Sequence, residues 1–182
     1  MEGKKVGKVF LVMGVSSTGK SSVGQALASA IKAKFIDGDD LHPKANILKM
    51  SSGHALNDDD RAPWLERIRD AAFSVEQKGE TAVIVCSALK RQYRDQIREG
   101  NSNVTFLHLY GEFELVKSRM LDRRGHFMPV SLLQNQFDTL EMPTADEPNM
   151  IEISIDGDFK TVLNRCIESA SVEQLAPSVT SA

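Results

Sequence analysis

The chain has 182 residues, of which 41% are hydrophobic and 26% are charged. This length predicts one domain whose core is large enough to be stable without disulfides or a structural metal. The net charge of −3 argues against nucleic-acid binding through overall charge, and the longest apolar runs have only the length of strands, which argues against a membrane span.

Short apolar runs rich in β-branched residues recur along the chain. They predict parallel strands, because strands covered on both faces are continuously hydrophobic. In chain order these runs are Val9–Met13, the weaker Lys34–Ile36, Ala82–Cys86, Val104–Leu109 and Met150–Ile155. Helical patterns between the strands predict an α/β fold with right-handed crossovers.

Amphipathic patterns predict the helices Ser21–Ala30, Arg61–Gln77, Leu89–Arg98, Glu112–Arg123, Ser131–Leu140 and Phe159–Ser169. Gly125–Val130 interrupts this pattern with glycine and proline, and we interpret it as part of a mobile lid over residues 119–135. Residues 1–170 then form a single domain. Residues 171–182 are small and polar, which predicts a flexible tail.

The strongest motif lies between the first predicted strand and the first predicted helix. Its residues are Gly14, Val15, Ser16, Ser17, Thr18, Gly19, Lys20 and Ser21, a full match to the phosphate-binding pattern G-x-x-x-x-G-K-[ST]. The glycines let backbone amides turn toward phosphate oxygens, and the positive end of the following helix strengthens their field. We assign this loop and the adjacent Ser22 to nucleotide binding, with Lys20 on the β- and γ-phosphates and the Ser21 hydroxyl on Mg²⁺.

Two other classes of phosphate-loop protein fit the sequence less well. A guanine-reading Asn-Lys-x-Asp segment is absent, which argues against a GTPase. The strand Ala82–Cys86 is followed by Ser87, whereas motor ATPases usually have an aspartate at this point. A small kinase is favoured, because its acidic groups can come from elsewhere in the chain.

Carboxylates follow the second predicted strand, in the run Asp37-Gly38-Asp39-Asp40. Parallel strands place their carboxyl ends at the ligand-binding edge of a sheet. Asp37 and Asp39 are therefore candidates for holding Mg²⁺-bound water and for accepting the proton of an attacking hydroxyl. The alternative is a simple turn in which Asp40 caps a helix, and spacing alone does not separate the two interpretations.

A cation lies near the start of the helix that contains Trp64. Asp58 or Asp59 is expected to cap this helix. Arg61 is a cation near the positive end of the same helix, which is unfavourable unless an anion offsets it. We therefore expect Arg61 to contact an anionic substrate.

Further cations follow the third strand and surround the predicted lid. Lys90, Arg94 and Arg98 repeat at helical spacing, which places them on one helical face, and Lys90 lies at the ligand edge of the sheet. For Arg98 we expect an ordinary charged surface. The lid is flanked by Arg119, Arg123, Arg124 and His126, and a phosphoryl-transfer site needs cations that arrive when a lid closes.

Longer strings carry a resemblance to a known family. The runs DGDDLHPKANILKMSSGHALNDDDRAPWL (37–65), CSALKRQYRD (86–95) and RRGHF (123–127), with GVSSTGKS before them and QFDTLE after them, closely resemble gluconokinases of bacteria and eukaryotes. The resemblance extends from about Val9 to Ile155, nearly the whole predicted domain.

This resemblance implies ATP-dependent phosphorylation of D-gluconate at its 6-hydroxyl, which gives 6-phosphogluconate and ADP, with Mg²⁺ bound. It also implies a nucleoside-monophosphate-kinase-like fold, a five-stranded parallel sheet in a three-layer sandwich with a lid, often as a homodimer. Departures from the family pattern are Ser17, where glycine is common, Asp40, where a hydrophobic residue is common, and Met142, where an acidic residue is usual. The division of roles among Asp37, Asp39 and Asp40 stays open.

The resemblance also implies roles for individual residues. The catalytic residues are Lys20, Asp39 and Arg123. By similarity to the wider group that includes shikimate kinases, Asp37 lies near Mg²⁺ and Asp39 beside the acceptor hydroxyl. The substrate-binding residues are Asp39, His42, Arg61, Lys90 and Arg94. Arg119 and the turn Asp156-Gly157 are candidate neighbours of the adenine.

Two rival functions are weighed against this one. The first is a kinase of another small anionic acceptor, such as shikimate. The second is a nucleotide-binding protein without catalysis, and the intact Lys20, Ser21, Asp39 and Arg61 argue against it. The two cysteines are far apart and without metal-type spacing, so we expect reduced thiols and a cytoplasmic location.

Overall fold

Five parallel strands form the centre of the structure, a computed structural model that describes residues 6–122 and 129–175. The strands are β1 (Lys8–Met13), β2 (Lys34–Asp37), β3 (Thr81–Val85), β4 (Val104–Tyr110) and β5 (Met150–Ser154). Their order across the sheet is β2-β3-β1-β4-β5, with every neighbouring pair parallel. The predicted strands and the α/β class are confirmed.

Helices cover both faces of the sheet. In the described ranges they are α1 (Lys20–Ile31), α2 (Lys44–Ser51), α3 (Asp58–Gln77), α4 (Arg91–Arg98), α5 (Phe113–Asp122), α6 (Val130–Thr139) and α7 (Phe159–Leu175), with a short 3₁₀ helix at Gly38–Leu41. Buried side chains of α1, α5, α6 and α7 form the core on one face, and those of α3 and α4 form it on the other. This is the predicted three-layer sandwich.

Helix α2 has no counterpart among the predicted helices. Its apolar residues Ile47 and Leu48 are 50% and 59% exposed, and its buried residue is the polar Asn46. Because this helix has no buried apolar stripe, hydrophobic periodicity gives no sign of it. Its place in the fold depends instead on Asn46, which donates a hydrogen bond to the backbone carbonyl of Asp60 (2.9 Å) at the start of α3.

The last helix runs further than the sequence predicts. Helix α7 continues to Leu175, past the tail boundary expected at residue 171. Glu173 explains the extension, because its carboxylate lies 3.6 Å from the Lys8 ammonium and accepts a hydrogen bond from the Thr105 hydroxyl (3.4 Å). The final turn is thereby tied to the sheet.

Two further observations concern the cysteines and the lengths of the helices. Cys86 and Cys166 are both buried, and each is a free thiol. None of the helices in residues 6–122 and 129–175 has the length and hydrophobicity that a bilayer span needs.

A buried histidine lies on β4. His108 is 1% exposed, and neither of its ring nitrogens has a hydrogen-bond partner among the described residues. Burial, with a contribution from the positive charge of Arg94, lowers the pKa of His108 from 6.5 to about 4. The ring is therefore neutral at physiological pH.

Acid should destabilise the fold through His108. The unfolded chain binds a proton at this ring below about pH 6.5, whereas the folded chain does so only near pH 4, so the free energy of unfolding falls as the pH drops through this window. We expect His108 to account for about 2 kcal/mol between pH 7 and pH 5. Urea unfolding of His108→Leu should lose this part of the pH dependence, and the exposed-residue control His54→Leu should keep it. An unchanged pH dependence in His108→Leu would contradict the assignment.

Candidate active site

The phosphate loop joins β1 to α1 in a conformation that directs its backbone toward an anion. Gly14 and Gly19 have φ angles of 145° and 89°, and a Cβ at Gly14 would lie 2.6 Å from the carbonyl oxygen of Leu109. Both positions therefore need glycine. Gly19 is the N-cap of α1, and no side chain caps the first turn. The amides at the start of α1 are thus oriented for a phosphate.

Polar side chains of the loop surround its centre. The Lys20 ammonium donates a hydrogen bond to the carbonyl oxygen of Val15 (2.8 Å), as does the Thr18 hydroxyl (2.9 Å). The hydroxyl-bearing residues Ser21 and Ser22 are exposed on the first turn of α1. Ser17, at the position where the family often has glycine, adopts the left-handed conformation with φ of 64°. That conformation costs a non-glycine residue about 1 kcal/mol.

A cavity of about 380 Å³ opens beside the phosphate loop. Its lining includes Ser17, Thr18, Ser22, Arg119, Gly157 and Phe159. The Arg119 guanidinium donates a hydrogen bond to the carbonyl oxygen of Gly157 (2.7 Å), which ties α5 to the loop after β5. The predicted nucleotide contact Arg119 and the predicted turn at Gly157 therefore lie together next to the loop.

The acidic turn follows β2 and packs against the end of β3. Asp37 caps the 3₁₀ helix, and its carboxylate accepts a hydrogen bond from the amide of Asp39 (3.0 Å). A Cβ at Gly38 would lie 2.4 Å from the carbonyl oxygen of Val85, so only glycine allows this close approach. The turn interpretation is correct in that a capped turn forms, but Asp37 is its cap, and Asp40 is exposed.

Asp39 has the electrostatic environment of a base. The surrounding protein partly desolvates its carboxylate and raises its pKa, although the residue as a whole is exposed. The negative charge of Asp37 raises this pKa further, while the positive charges of His42 and Lys20 oppose the rise. The phosphate loop and the acidic turn follow β1 and β2, which flank β3 as parallel neighbours, so both lie at the same edge of the sheet.

His42 lies beside the acidic turn on an aromatic support. Its ring stacks on Trp64 with centroids 4.2 Å apart, and its Nδ1 lies 3.2 Å from the side-chain nitrogen of Asn46. Burial lowers the pKa of His42; the nearby Asp39 opposes this shift and Arg61 adds to it. The Trp64 indole in turn donates a hydrogen bond to the carbonyl oxygen of Gly38 (2.7 Å), which fixes the turn.

The start of α3 differs from the sequence expectation. Asn57 rather than Asp58 or Asp59 is the N-cap, because its side chain accepts a hydrogen bond from the Asp60 amide (2.8 Å). The Asp60 carboxylate accepts one in return from the Asn57 amide (2.9 Å), which completes a capping box. The carboxylate of Asp58 is thereby left to interact with other groups.

Arg61 and Lys90 meet at this carboxylate. The Lys90 ammonium lies 3.3 Å from both carboxylate oxygens of Asp58, and the Arg61 guanidinium lies 3.7 Å from one of them. The Tyr93 ring lies beside both cations, with their charged groups 5.6 Å and 5.7 Å from its centroid. The structure thus brings two of the predicted substrate-binding cations together.

Arg94 is not part of this cationic group. Its side chain is fully buried, and its guanidinium pairs with Glu147 through hydrogen bonds of 2.5 and 3.2 Å. Its remaining N–H groups donate to the backbone carbonyls of Ala88, Leu89 and Glu141. With all its donors satisfied by protein, Arg94 holds α4 to neighbouring loops, and the prediction that it contacts the substrate is corrected.

The segments on either side of the predicted lid account for the remaining site residues. Arg123, Arg124 and His126 lie outside the described residues. Gln136 on α6 accepts a hydrogen bond from the amide of Ser16 (2.6 Å) and so connects the far side of the predicted lid to the phosphate loop. Sequence analysis missed Gln136 and Tyr93; the QFDTLE string contains the former, and helical spacing from Lys90 places the latter on the next turn.

The chain is similar to known kinases. The family model for shikimate kinase matches residues 16–155. The thermosensitive gluconokinase of Escherichia coli (strain K12) is 52% identical over 160 residues, which cover 88% of this chain and 86% of that protein. The gluconokinase of Gluconobacter oxydans is 43% identical over 91% of this chain and 93% of its own length.

Solved structures of a gluconokinase and of a shikimate kinase have the same fold as this chain. The crystal structure of a gluconokinase from Sinorhizobium meliloti matches with a TM-score of 0.81 at 41% identity, over 94% of this chain and 96% of that one. A shikimate kinase from Aquifex aeolicus matches with a TM-score of 0.58 at 16% identity, over 93% of this chain and 99% of that one. This second likeness concerns the fold alone.

Replacing Arg94 should reduce stability. Arg94→Met leaves the buried Glu147 without its closest cation, so we expect the free energy of unfolding to fall by about 3 kcal/mol. Lys90→Met removes a partly exposed ion pair on the neighbouring turn, and its cost should stay within about 1 kcal/mol. Urea unfolding of both variants measures the difference. Equal stability of Arg94→Met and wild type would mean that this buried pair is not structural.

Proposed function

The chain belongs to the shikimate kinase family and, within it, to the gluconokinases, and from this we propose that it transfers the γ-phosphoryl group of ATP to the 6-hydroxyl of D-gluconate. The products are 6-phosphogluconate and ADP. The observation that carries the proposal is the arrangement at one sheet edge of the phosphate loop, Asp39 and the pair of cations Arg61 and Lys90. A shikimate acceptor is not favoured, because the shikimate kinase neighbour is only 16% identical, whereas gluconokinases reach 52%.

The phosphate loop binds the triphosphate of ATP in this proposal. Amides of residues 14–21 surround the phosphates, and the Lys20 ammonium exchanges its contact with the Val15 carbonyl for the β- and γ-phosphates. The cavity bounded by Arg119, Gly157 and Phe159 accepts the adenosine, because it adjoins the loop and offers an aromatic ring and a guanidinium.

Mg²⁺ fits a site formed mainly by the nucleotide. Among the described residues, no group of three or more His, Cys, Asp or Glu side chains is arranged to hold a metal. This suits Mg²⁺, which kinases bind through substrate phosphates and few protein ligands. The Ser21 hydroxyl would ligate the ion and Asp37 would hold its water shell. When bound, Mg²⁺ neutralises phosphate charge and favours transfer.

The acceptor lies between the acidic turn and the cations. Arg61 and Lys90 bind the carboxylate of gluconate, and His42 and Asp39 bind its hydroxyls. Asp39 orients the 6-hydroxyl and accepts its proton as the oxygen attacks the γ-phosphorus, since a raised pKa makes it a stronger base than an ordinary aspartate. Positioning and electrostatic stabilisation then carry the reaction, with no covalent enzyme intermediate.

Parts of the proposal rest on the family resemblance. Arg123, from a lid over residues 119–135, stabilises the charge on the transferred group as the lid closes. We also propose a cytoplasmic homodimer, in keeping with the resemblance. Light scattering of the purified protein tests the dimer.

An acceptor panel tests the reaction. With Mg-ATP as donor, ADP release should show the highest kcat/KM for D-gluconate and lower values for other sugar acids. With shikimate the rate should be near background. A preference for shikimate would overturn the choice of acceptor. Binding of ATP without ADP formation on any acceptor would indicate a non-catalytic nucleotide-binding protein.

Substitutions test the assigned roles. Lys20→Met should lower kcat at least about 100-fold, because it removes a cation from the reacting phosphates, and its thermal unfolding should match wild type.

Asp39→Asn should lower kcat by about 100- to 10,000-fold, because it removes the base. The control Asp40→Asn, at the neighbouring exposed residue, should change kcat little. Similar losses in Asp39→Asn and Asp40→Asn would show that charge in the turn, not a specific base, is what the reaction needs.

A further inference from the structure

One carboxylate of the protein already occupies the cationic part of the site. Asp58 accepts hydrogen bonds from the Tyr93 hydroxyl, from the Lys90 ammonium (3.3 Å) and from the Gln92 side chain (3.2 Å), and it lies 3.7 Å from the Arg61 guanidinium. The three donors come from the start of α4, and Arg61 lies in the first turn of α3. An Asp side chain with so many donors is in the environment of a bound substrate carboxylate.

The caps of the two helices do not use this carboxylate. Asn57 and Asp60 complete the capping box of α3 without Asp58. The α4 helix begins at Arg91, and its N-cap residue Lys90 makes no capping hydrogen bond with its side chain. The Asp58 carboxylate is therefore not used in the cap of α3, and its partners are the donors at the start of α4 together with Arg61.

The proposed acceptor carboxylate needs the same cations. A second carboxylate at Arg61 and Lys90 would lie within a few ångströms of Asp58, where like charges repel. Asp58 is also more accessible than its partners, with its side chain 49% exposed against 31% for Arg61 and 29% for Lys90. A change of its side-chain rotamer toward solvent would release both cations without moving either helix.

We propose that Asp58 is an exchangeable internal counter-ion, whose carboxylate holds Arg61 and Lys90 in the absence of acceptor and is displaced by the carboxylate of the acceptor. This inference rests on the proposed function for the identity of the acceptor. The exchange replaces one carboxylate by another at the same two cations, so Arg61 and Lys90 have an anionic partner both before and after the acceptor binds.

This exchange makes Asp58 a specificity-determining residue. A simple carboxylate such as acetate offers the cations only what Asp58 already provides, so it has little advantage in the exchange. A polyhydroxy acid adds contacts between its hydroxyls and Asp39 and His42, and these contacts favour displacement of Asp58. Asp58 therefore selects against small anions that would otherwise block the site.

Asp58→Asn tests the proposal, with Asp59→Asn as the matched control. Asp59 is exposed in the same first turn, and the control removes the same charge away from the cations. With Mg-ATP saturating, Asp58→Asn should lower KM for D-gluconate about fivefold with kcat nearly unchanged, because the competing carboxylate is gone. Acetate should become a competitive inhibitor of Asp58→Asn only, while Asp59→Asn should behave as wild type.

The opposite results overturn the proposal. A higher KM in Asp58→Asn would mean that Asp58 binds the acceptor or positions Arg61 and Lys90 for it. An unchanged KM together with insensitivity to acetate would mean that no exchange occurs. Asp58→Ser serves as a second variant with the same expectations, and circular dichroism confirms that each variant is folded.

A binding measurement separates this inference from the proposed function. Calorimetric titration of acetate should detect binding to Asp58→Asn and not to wild type or Asp59→Asn, whatever reaction the enzyme performs. Acetate binding without gluconate turnover by wild type would refute the proposed acceptor and retain the counter-ion. Gluconate turnover without acetate binding to Asp58→Asn would refute the counter-ion and retain the acceptor.

Discussion

The register of β3 with its two neighbours is the constraint on which the site depends. Val85 pairs with Val12 of β1 on one side and with Asp37 of β2 on the other. Parallel strands about 4.8 Å apart therefore bring the phosphate loop and the acidic turn to opposite sides of one strand end, roughly 10 Å from each other. The chain leaving β3 then continues to Lys90. A slip of one residue in this register would turn these groups to the wrong face.

Burial depth separates a cation that faces the candidate site from one that stabilises the fold. Lys90 and Arg94 are one helical turn apart. Lys90 is partly exposed beside Asp58, whereas Arg94 is buried and donates its hydrogen bonds to Glu147 and to backbone carbonyl groups. Arg98, which sequence analysis places on an ordinary charged surface, also pairs with Glu147 (3.1 Å) and lies over the Phe106 ring. The start of α4 therefore faces the candidate site, and the buried pairs further along α4 hold this helix to the loop that contains Glu147.

Motifs that are local in the chain were predictable, and contacts between distant segments were not. The phosphate loop is contiguous and lies between a strand and a helix, so its position followed from the residues at 14–21. The depth of Arg94 depends on Glu147, 53 residues away, which no helical period reveals. The cap of α3 was expected at Asp58 or Asp59 and is Asn57, because the four adjacent polar residues 57–60 are all acceptable helix caps. Helix α2 escaped prediction because its contacts are polar.

Trp64, which supports the acidic turn, is an intrinsic fluorescent probe of that turn. Trp64 is the single tryptophan in the chain, is 4% exposed, and lies against His42 and the Gly38 carbonyl. Tryptophan emission from the entire molecule therefore originates within van der Waals distance of the acidic turn. Ultraviolet excitation therefore monitors this one location, and a change in the packing of Trp64 against His42 or the Gly38 carbonyl would alter its emission.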